Sequence, residues 1–359
     1  MAEPFETTVV GSMPKPPWLY QQEPLAAKGS DHHGGGADWL LFGQDLEEAQ
    51  NDAVRLAIYD QETAGVRIVS DGEQRRKSYL THITSKLRGF DFDTLAEKWI
   101  RDGRRLAQVG RCTGPVEWLG PMVVDDLRFL LTNTTSPVKV TLPGPMTIVD
   151  STFDAYYEDE RSFALAVAEA ISKEAKALDA MGPAVIQFDE PVFSRYPDKV
   201  SEWGIEALDR CADGLRAQSA VHVCYSYAMP GVERPIKPSY PQILAALEGS
   251  NIDQLALEFE APQLDPALLA ICPSKTVLFG CIDNSNPKVE DAEQVALRLL
   301  AAAEHHDPEK IQAAPDCGLT LLSQSVARAK LSTLFRGSQI ARDQLMGLSG
   351  EHRHGPHHH

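Results

Sequence analysis

The feature that most limits how this chain can fold is an alternation. Eight short runs rich in β-branched and apolar residues are each followed by a longer stretch, most of them with helical periodicity. The runs are Thr7–Ser12, Val66–Asp71, Val138–Pro143, Val185–Asp189, Ala220–Cys224, Gln254–Glu258, Thr276–Ile282 and Ile311–Asp316. Helical patterns fall at Glu47–Ala64, Glu160–Met181, Gly204–Gln218, Ser239–Leu247, Asp265–Ile271, Val289–His305 and Ser323–Leu345. This alternation predicts an α/β chain folded as a single (β/α)8 TIM barrel over residues 1–350. An open doubly wound sheet is the rival layout. The polar residues favour the barrel, because the runs end in or next to Gly11-Ser12, Asp71-Gly72-Glu73, Pro143-Gly144-Pro145, Asp189-Glu190-Pro191, His222 with Cys224, Glu258, Asp283 and Asp316-Cys317-Gly318. In a barrel these groups converge on one rim, the one that carries the chemistry.

Two segments interrupt the alternation. After the first run, Pro16–Gln44 is a long loop containing Ser30-Asp-His-His-Gly-Gly-Gly-Ala37 between Trp18 and Trp39. A loop of this length reads as a mobile lid over the rim, in preference to a metal clip made by Asp31, His32 and His33. After the second run, Phe90–Leu130 reads as a hairpin around Ala107–Val116 followed by a helix. It carries Arg111-Cys112, where the arginine suits either an anionic group or a surface ion pair. Residues 351–359 are expected to be a disordered tail, and Gly355-Pro-His-His-His359 reads as part of an expression tag.

A formal charge of −17 argues against nucleic acid and against anionic membrane surfaces as partners. No apolar run has the length of a membrane span, and Met1-Ala-Glu-Pro-Phe-Glu-Thr-Thr lacks the basic start and apolar centre of a signal peptide. A cytoplasmic protein is expected. The six cysteines, at 112, 211, 224, 272, 281 and 317, show no disulfide spacing, which leaves burial or metal binding in a reducing compartment.

The densest chemistry lies in Ala220-Val-His-Val-Cys-Tyr-Ser226. Side chains two apart on a strand leave the same face, so His222 and Cys224 point together. A buried packing pair is the plainer reading of His-x-Cys alone. The carboxylates of Glu258 or Glu260 and the thiol of Cys317, each at another strand end, complete a four-ligand set suited to Zn2+. Spacing does not choose between Glu258 and Glu260, which share a face. The ligands come from three strand ends across residues 222 to 317, unlike the clustered ligands of a structural zinc module. With both thiols ionised such a site is net negative and a poor activator of water. It is suited instead to accept a substrate thiol in place of the weaker oxygen ligand and hold it as a thiolate, which implies thiol alkylation. An amino-acid head group on that substrate would find carboxylates for its ammonium in Glu73 and Asp189, and backbone N–H groups for its carboxylate in Val10-Gly11-Ser12.

Taken in order, Val10-Gly11-Ser12-x-Pro14, Asp71-Gly72-Glu73, Leu142-Pro-Gly-Pro-Met-Thr147, Gln187-Phe-Asp-Glu-Pro191, His222-x-Cys224, Leu257-Glu258 and Asp316-Cys317-Gly318 resemble the C-terminal catalytic barrel of cobalamin-independent methionine synthases, from about residue 6 to about residue 345. The resemblance implies a zinc-dependent (β/α)8 methyltransferase that methylates homocysteine. It assigns zinc to His222, Cys224, Glu258 and Cys317, homocysteine to Val10, Gly11, Ser12, Glu73 and Asp189, and a donor contact to Arg111 and Cys112.

The chain departs from the family in the donor half. Ser151 stands where the family stacks its pterin on a tryptophan, Arg195 where it has a glutamate, and Ser285 where it has its proton-donating histidine. Longer members also carry an N-terminal barrel that helps bind polyglutamylated methyl-folate, and the match here is to the short single-barrel members. A folate leaving group needs a proton, whereas a methyl-corrinoid gives up its methyl group without a general acid. The implied donor is therefore a methyl-corrinoid protein or methyl-tetrahydrofolate, the latter with an accessory methyl-loading protein, and a homodimer is compatible with either. Competing readings are alkyl transfer to another thiol such as coenzyme M, and a non-catalytic barrel that binds a corrinoid or a partner protein.

Overall fold

The computed structural model of the protein describes residues 2–22, 38–225 and 239–351. The glycine-rich segment 30–37 read as a lid, with Asp31, His32 and His33, and the tail beyond residue 351 lie outside the described residues. In chain order the strands are β1 Glu6–Thr7, β2 Tyr20–Gln21, β3 Asp38–Trp39, β4 Leu87–Ile100, β5 Arg105–Trp118, β6 Lys139–Pro143, β7 Thr152–Asp154, β8 Val185–Asp189, β9 Gln218–Val223, β10 Gln254–Glu258, β11 Thr276–Ile282 and β12 Ile311–Pro315. Seven of them form one curled parallel sheet in the order β1-β12-β11-β10-β9-β8-β6. Strands β6, β8, β10 and β12 are buried along their whole length, as parallel strands covered on both faces must be.

Helices pack on the outside of this sheet. In Glu160–Asp179 the buried residues Phe163, Val167, Ile171, Ala175 and Leu178 recur at spacings of three and four and make one apolar stripe. Asp159 starts that helix by accepting the Ser162 N–H at 2.9 Å. The helix expected at Asp265–Ile271 is instead a 3-10 turn over Pro266–Ile271, entered through an Asp265 cap. No helix among the described residues is long and apolar enough to cross a membrane.

Six of the eight expected strands are present with nearly the expected bounds, and the first two differ for an identifiable reason. The first run is a ladder strand only at Glu6–Thr7. Beyond it, the Val9 carbonyl accepts from Lys139 Nζ (3.0 Å), the Val10 carbonyl from Gln187 Nε2 (2.8 Å) and the Gly11 carbonyl from Ser70 Oγ (2.5 Å). Side chains thus take the place of a neighbouring strand. In the second run, the Gln61 side chain takes both the N–H and the C=O of Ser70, each at 2.9 Å. What remains of that run joins the two edges of the sheet: Thr8 bridges Ile68, Val69 bridges Val138, and the Lys139 N–H donates to the Val69 carbonyl at 2.8 Å.

The hairpin is larger than expected. Strands β4 and β5 pair antiparallel over 14 residues each, and the segment Ala107–Val116 lies within β5 instead of surrounding the turn. Exposed apolar residues on β4 and β5, Leu95, Trp99 and Leu106, hide the two-residue alternation that would have revealed both strands. The turn at 101–104 carries Arg101, Asp102 and Gly103 in left-handed conformation. It is fastened to the segments that follow β6 and β8, because the Arg101 N–H donates to Asp150 Oδ2 (3.0 Å) and the Tyr196 hydroxyl donates to Asp150 Oδ1 (2.6 Å). Lys98 Nζ donates to the carbonyls of Val149, Asp150 and Thr152, which close the end of helix Pro145–Asp150. The hairpin is therefore a fixed wall beside the loops that follow β6 and β8.

Gly280 on β11 marks where backbone and side chain meet most closely in the sheet. A Cβ there would collide with Asp316 Oδ1 and lie 2.6 Å from the Leu257 carbonyl. Gly280→Ala is expected to destabilise the protein by about 1–3 kcal/mol, the usual range for overpacking a tight interior, measured as a lowered urea midpoint with unchanged slope.

Candidate active site

Three of the four expected metal ligands converge. His222 lies on β9, Cys224 follows its end, and Cys317 follows the end of β12. His222 Nε2 is 3.0 Å from Cys224 Sγ and 3.3 Å from Cys317 Sγ, and the two sulfurs are 3.5 Å apart. His222 Nδ1 lies 3.3 Å from the Ala256 carbonyl, so Nδ1 carries a proton in either charge state of the ring and Nε2 faces the sulfurs. The Cys224 thiol directed at Cys317, together with His222, holds the Cys317 thiol well below its ordinary range. The Cys317 contact and burial push Cys224 well up. Burial pulls His222 down, but the charge on Cys317 and its hydrogen bond, with Asp189 and Glu258 behind them, raise it to about 9. One ionised sulfur beside an imidazole and a second thiol is a donor set that fits a soft divalent ion. A tetrahedron with zinc bond lengths of about 2.3 Å to sulfur and 2.0 Å to nitrogen has edges of roughly 3.5–3.8 Å, so a metal would spread these atoms by about half an ångström or less.

Glu258 stands next to this cluster without belonging to it. Its Oε2 accepts the Tyr225 N–H at 2.7 Å, immediately after Cys224. Glu260 is turned elsewhere, with its Oε2 3.2 Å from Arg298 Nε. The strand ends at Glu258, so the shared face that spacing implies does not extend to Glu260. Asp316 organises this end of β10, because its carboxylate accepts the N–H groups of Phe259 (3.1 Å), Glu260 (3.0 Å) and Ala261 (2.7 Å). The Tyr240 hydroxyl donates to the Val223 carbonyl (2.7 Å) and accepts the Glu258 N–H (3.2 Å), locking the ends of β9 and β10 together.

A second cluster adjoins the first. Glu73 has a left-handed backbone (φ 56°), which is costly for a residue with a side chain and follows the left-handed Gly72. This conformation brings its carboxylate over Gly11, where any Cβ would collide with Glu73 Oε2. Arg76 Nη1 is 3.7 Å from Glu73 and is itself anchored on the Thr141 hydroxyl and carbonyl. Burial, reinforced by the charges of Asp189 and Asp71, raises Glu73 to about 7 against the pull of Arg76. Asp189 is likewise raised by burial, opposed by His222 and by the Gln187 N–H at 2.9 Å. Ser12 connects the two clusters, since a Cβ on Gly318 would collide with Ser12 Oγ, and the Leu319 N–H donates to the Ser12 carbonyl at 2.9 Å. The N–H groups of Gly11 and Ser12 find no acceptor among the described residues. Two carboxylates, two available N–H groups and a thiol-rich donor set thus share one end of the sheet.

The residues expected on the donor side have other partners. Arg111 donates to Asp91 Oδ2 (2.8 Å) and to the Thr94 carbonyl (2.9 Å) across the hairpin. Cys112 is buried, and burial pushes its thiol up to about 11. The Ser285 hydroxyl donates to Asp283 Oδ1 at 2.8 Å, in a turn that its own N–H also closes. The sequence reading leaves out Lys139 and Arg76, and it names Gln187 and Glu190 only within motifs, without a role. Glu190 accepts the N–H groups of Met146 (3.1 Å) and Thr147 (2.9 Å), and its carboxylate lies against Gly144. A charged residue inside an apolar strand, such as Lys139, was the available signal.

The chain matches the family model described as cobalamin-independent synthase, catalytic domain, over residues 5–339. It is 32% identical over 340 residues to a methionine synthase of Sulfurisphaera tokodaii, with 94% of this chain and 93% of that protein aligned. A methionine synthase of Pyrococcus abyssi is also 32% identical, over 341 residues and with the same coverage. Among solved structures, a B12-independent methionine synthase from Shewanella sp. W3-18-1 in complex with selenomethionine superposes with a TM-score of 0.87 at 37% identity, covering 97% of this chain and 100% of that one.

The raised Glu73 has a consequence for stability. An exposed glutamate titrates near 4.5 and Glu73 near 7, so the folded protein binds this proton more tightly than the unfolded chain. Stability is then lost as the pH rises from about 4.5 to about 7, and the loss persists above that. Glu73→Gln is expected to be about 1–3 kcal/mol more stable than wild type at pH 8 and nearly equal to it at pH 5, read from urea unfolding at the two pH values.

Proposed function

Because this chain belongs to the cobalamin-independent methionine synthase family, we propose that it is a zinc-dependent S-methyltransferase that converts homocysteine to methionine. The observation that carries the reading is the convergence of His222, Cys224 and Cys317 within 3.5 Å of one another, beside the Glu73 and Asp189 carboxylates. We read the segment 66–70 as the eighth stave of a (β/α)8 barrel, and residues 1–350 as one domain.

His222, Cys224 and Cys317 would hold Zn2+, with Glu258 as the exchangeable fourth ligand once it leaves the Tyr225 N–H. Bound there, zinc supplies a Lewis acid that lowers the pKa of an incoming thiol and keeps it ionised at neutral pH. Glu73 and Asp189 receive the substrate ammonium, whose charge offsets the burial and, after it, the like charges that raise Glu73. The N–H groups of Gly11 and Ser12 receive the carboxylate, an assignment supported by their lack of acceptors among the described residues. Ser12, packed against Gly318, holds this head-group corner at a fixed distance from Cys317. The amino-acid ligand named for the Shewanella structure is consistent with a site of this design.

The methyl donor is a methyl-corrinoid or methyl-tetrahydrofolate. Ser285, bound to Asp283, is a poor proton source for a folate leaving group, which favours the corrinoid. Single-turnover methionine formation by the zinc-loaded protein, with methylcobalamin and methyl-tetrahydrofolate compared, is expected to proceed with methylcobalamin. Turnover with the folate alone would assign the acid to another group, and silence with both donors would move the acceptor to a different thiol.

Cys317→Ser is expected to lower bound zinc to well under half of the wild-type stoichiometry and to reduce methyl transfer at least about a hundredfold, because both the soft ligand and the ionised sulfur are lost. Metal content by atomic absorption and thiol methylation on the same preparation check this. Retention of both would remove Cys317 from the centre.

A further inference from the structure

Lys139 has a side chain that is among the largest fully buried in the protein, at 1% exposure. An ammonium group in such a place is costly unless it is hydrogen-bonded, and a methionine would fill a similar volume without the charge. Its Nζ donates to the Val9 carbonyl at 3.0 Å and to Gln187 Oε1 at 2.9 Å. Burial pulls this ammonium down to about 7 against the charge of Asp189; as an ammonium it only donates, so the atom of Gln187 that faces it is the oxygen. That fixes the amide the other way round at its far end. Both N–H bonds of Gln187 Nε2 are then directed, one at the Val10 carbonyl (2.8 Å) and one at Asp189 Oδ1 (2.9 Å).

We infer that Lys139 is a positioning residue for the acceptor's amino-acid head group, acting through Gln187. The pair braces both halves of the head-group corner. It holds the Asp189 carboxylate in place on one side, and on the other it satisfies the Val9 and Val10 carbonyls where β1 has left the sheet, which fixes the backbone that leads into Gly11 and Ser12. Without Lys139 the Gln187 oxygen loses its donor and is left buried and unpaired, a cost that the amide relieves by moving away from Asp189 and the Val10 carbonyl. This inference rests on the assignment of Glu73 and Asp189 to the substrate ammonium.

The test measures binding to the zinc-loaded protein by calorimetry, so that no methyl donor is needed. Two ligands are compared, homocysteine and 4-mercaptobutyrate, which share the thiol and the carboxylate but differ in the ammonium. Wild type should prefer homocysteine. In Lys139→Met the preference, as the ratio of the two Kd values, should fall about tenfold, the scale of one hydrogen bond to a charged group, with zinc content unchanged. Gln187→Met should give a similar fall, and Lys139→Met added to Gln187→Met should give no further fall, because the lysine acts through the glutamine. An equal weakening of both ligands, or multiplicative effects in the double variant, would overturn the inference. A wild type that binds the two thiols equally would instead overturn the head-group assignment on which it rests. If Lys139→Met does not fold, the ratio measured for Gln187→Met decides by the same criterion.

Discussion

The arrangement depends on how the chain satisfies the backbone of residues 9–11 after β1 leaves the ladder. Three consecutive carbonyls accept hydrogen bonds from the side chains of Lys139, Gln187 and Ser70, which come from three different parts of the chain. Buried carbonyls must be paired, and a neighbouring strand would have paired them by running alongside and filling the rim with backbone. Side-chain donors leave the N–H side of Gly11 and Ser12 open instead. The open N–H groups of Gly11 and Ser12 therefore follow from where the donors of the first strand's carbonyls are placed.

The same economy of backbone appears at the strand ends around the cluster of His222, Cys224 and Cys317. Asp316 collects three N–H groups beyond β10, Glu190 collects two at the start of helix Pro145–Asp150, and Tyr240 fastens β9 to β10. Glycines stand where these carboxylates approach the main chain, Gly280 against Asp316 and Gly144 against Glu190. Each device fixes a loop that carries a reactive side chain without using that side chain. Cys224, Cys317 and His222 are thereby left to one another, and charge gathers on the sulfur that is pulled down most, Cys317. Glu73, held in a left-handed conformation and pushed up by burial, carries strain and charge that a bound ammonium would relieve.

Most of the fold was legible in the sequence. Six strands appear almost where β-branched runs place them, because a short apolar run between helical stretches has few alternatives to a buried parallel strand. The His-x-Cys pair was legible for a local reason, the two-residue period of a strand, and Cys317 because it follows a strand of the same kind. Strand extent at the first two runs was not legible. Pattern reading assumes that a strand is paired by strands, and here Gln61, Lys139, Gln187 and Ser70 do the pairing. The hairpin was half legible, since the exposed Leu95, Trp99 and Leu106 disguise its alternation.

What the sequence determined by itself is the set of local preferences: which segments extend, which coil, and which polar residues stand at the ends of the extended ones. Those are set within a few residues by side-chain shape and period. What only the tertiary structure decided is which of those polar residues face each other. It turned Glu258 toward the end of β9 and Glu260 toward Arg298, and set Lys139 and Gln187 beneath the Val9 and Val10 carbonyls. These choices depend on the curl and register of seven strands from distant parts of the chain. Hydrogen bonds over separations of 48 to 177 residues carry no signature in any local window.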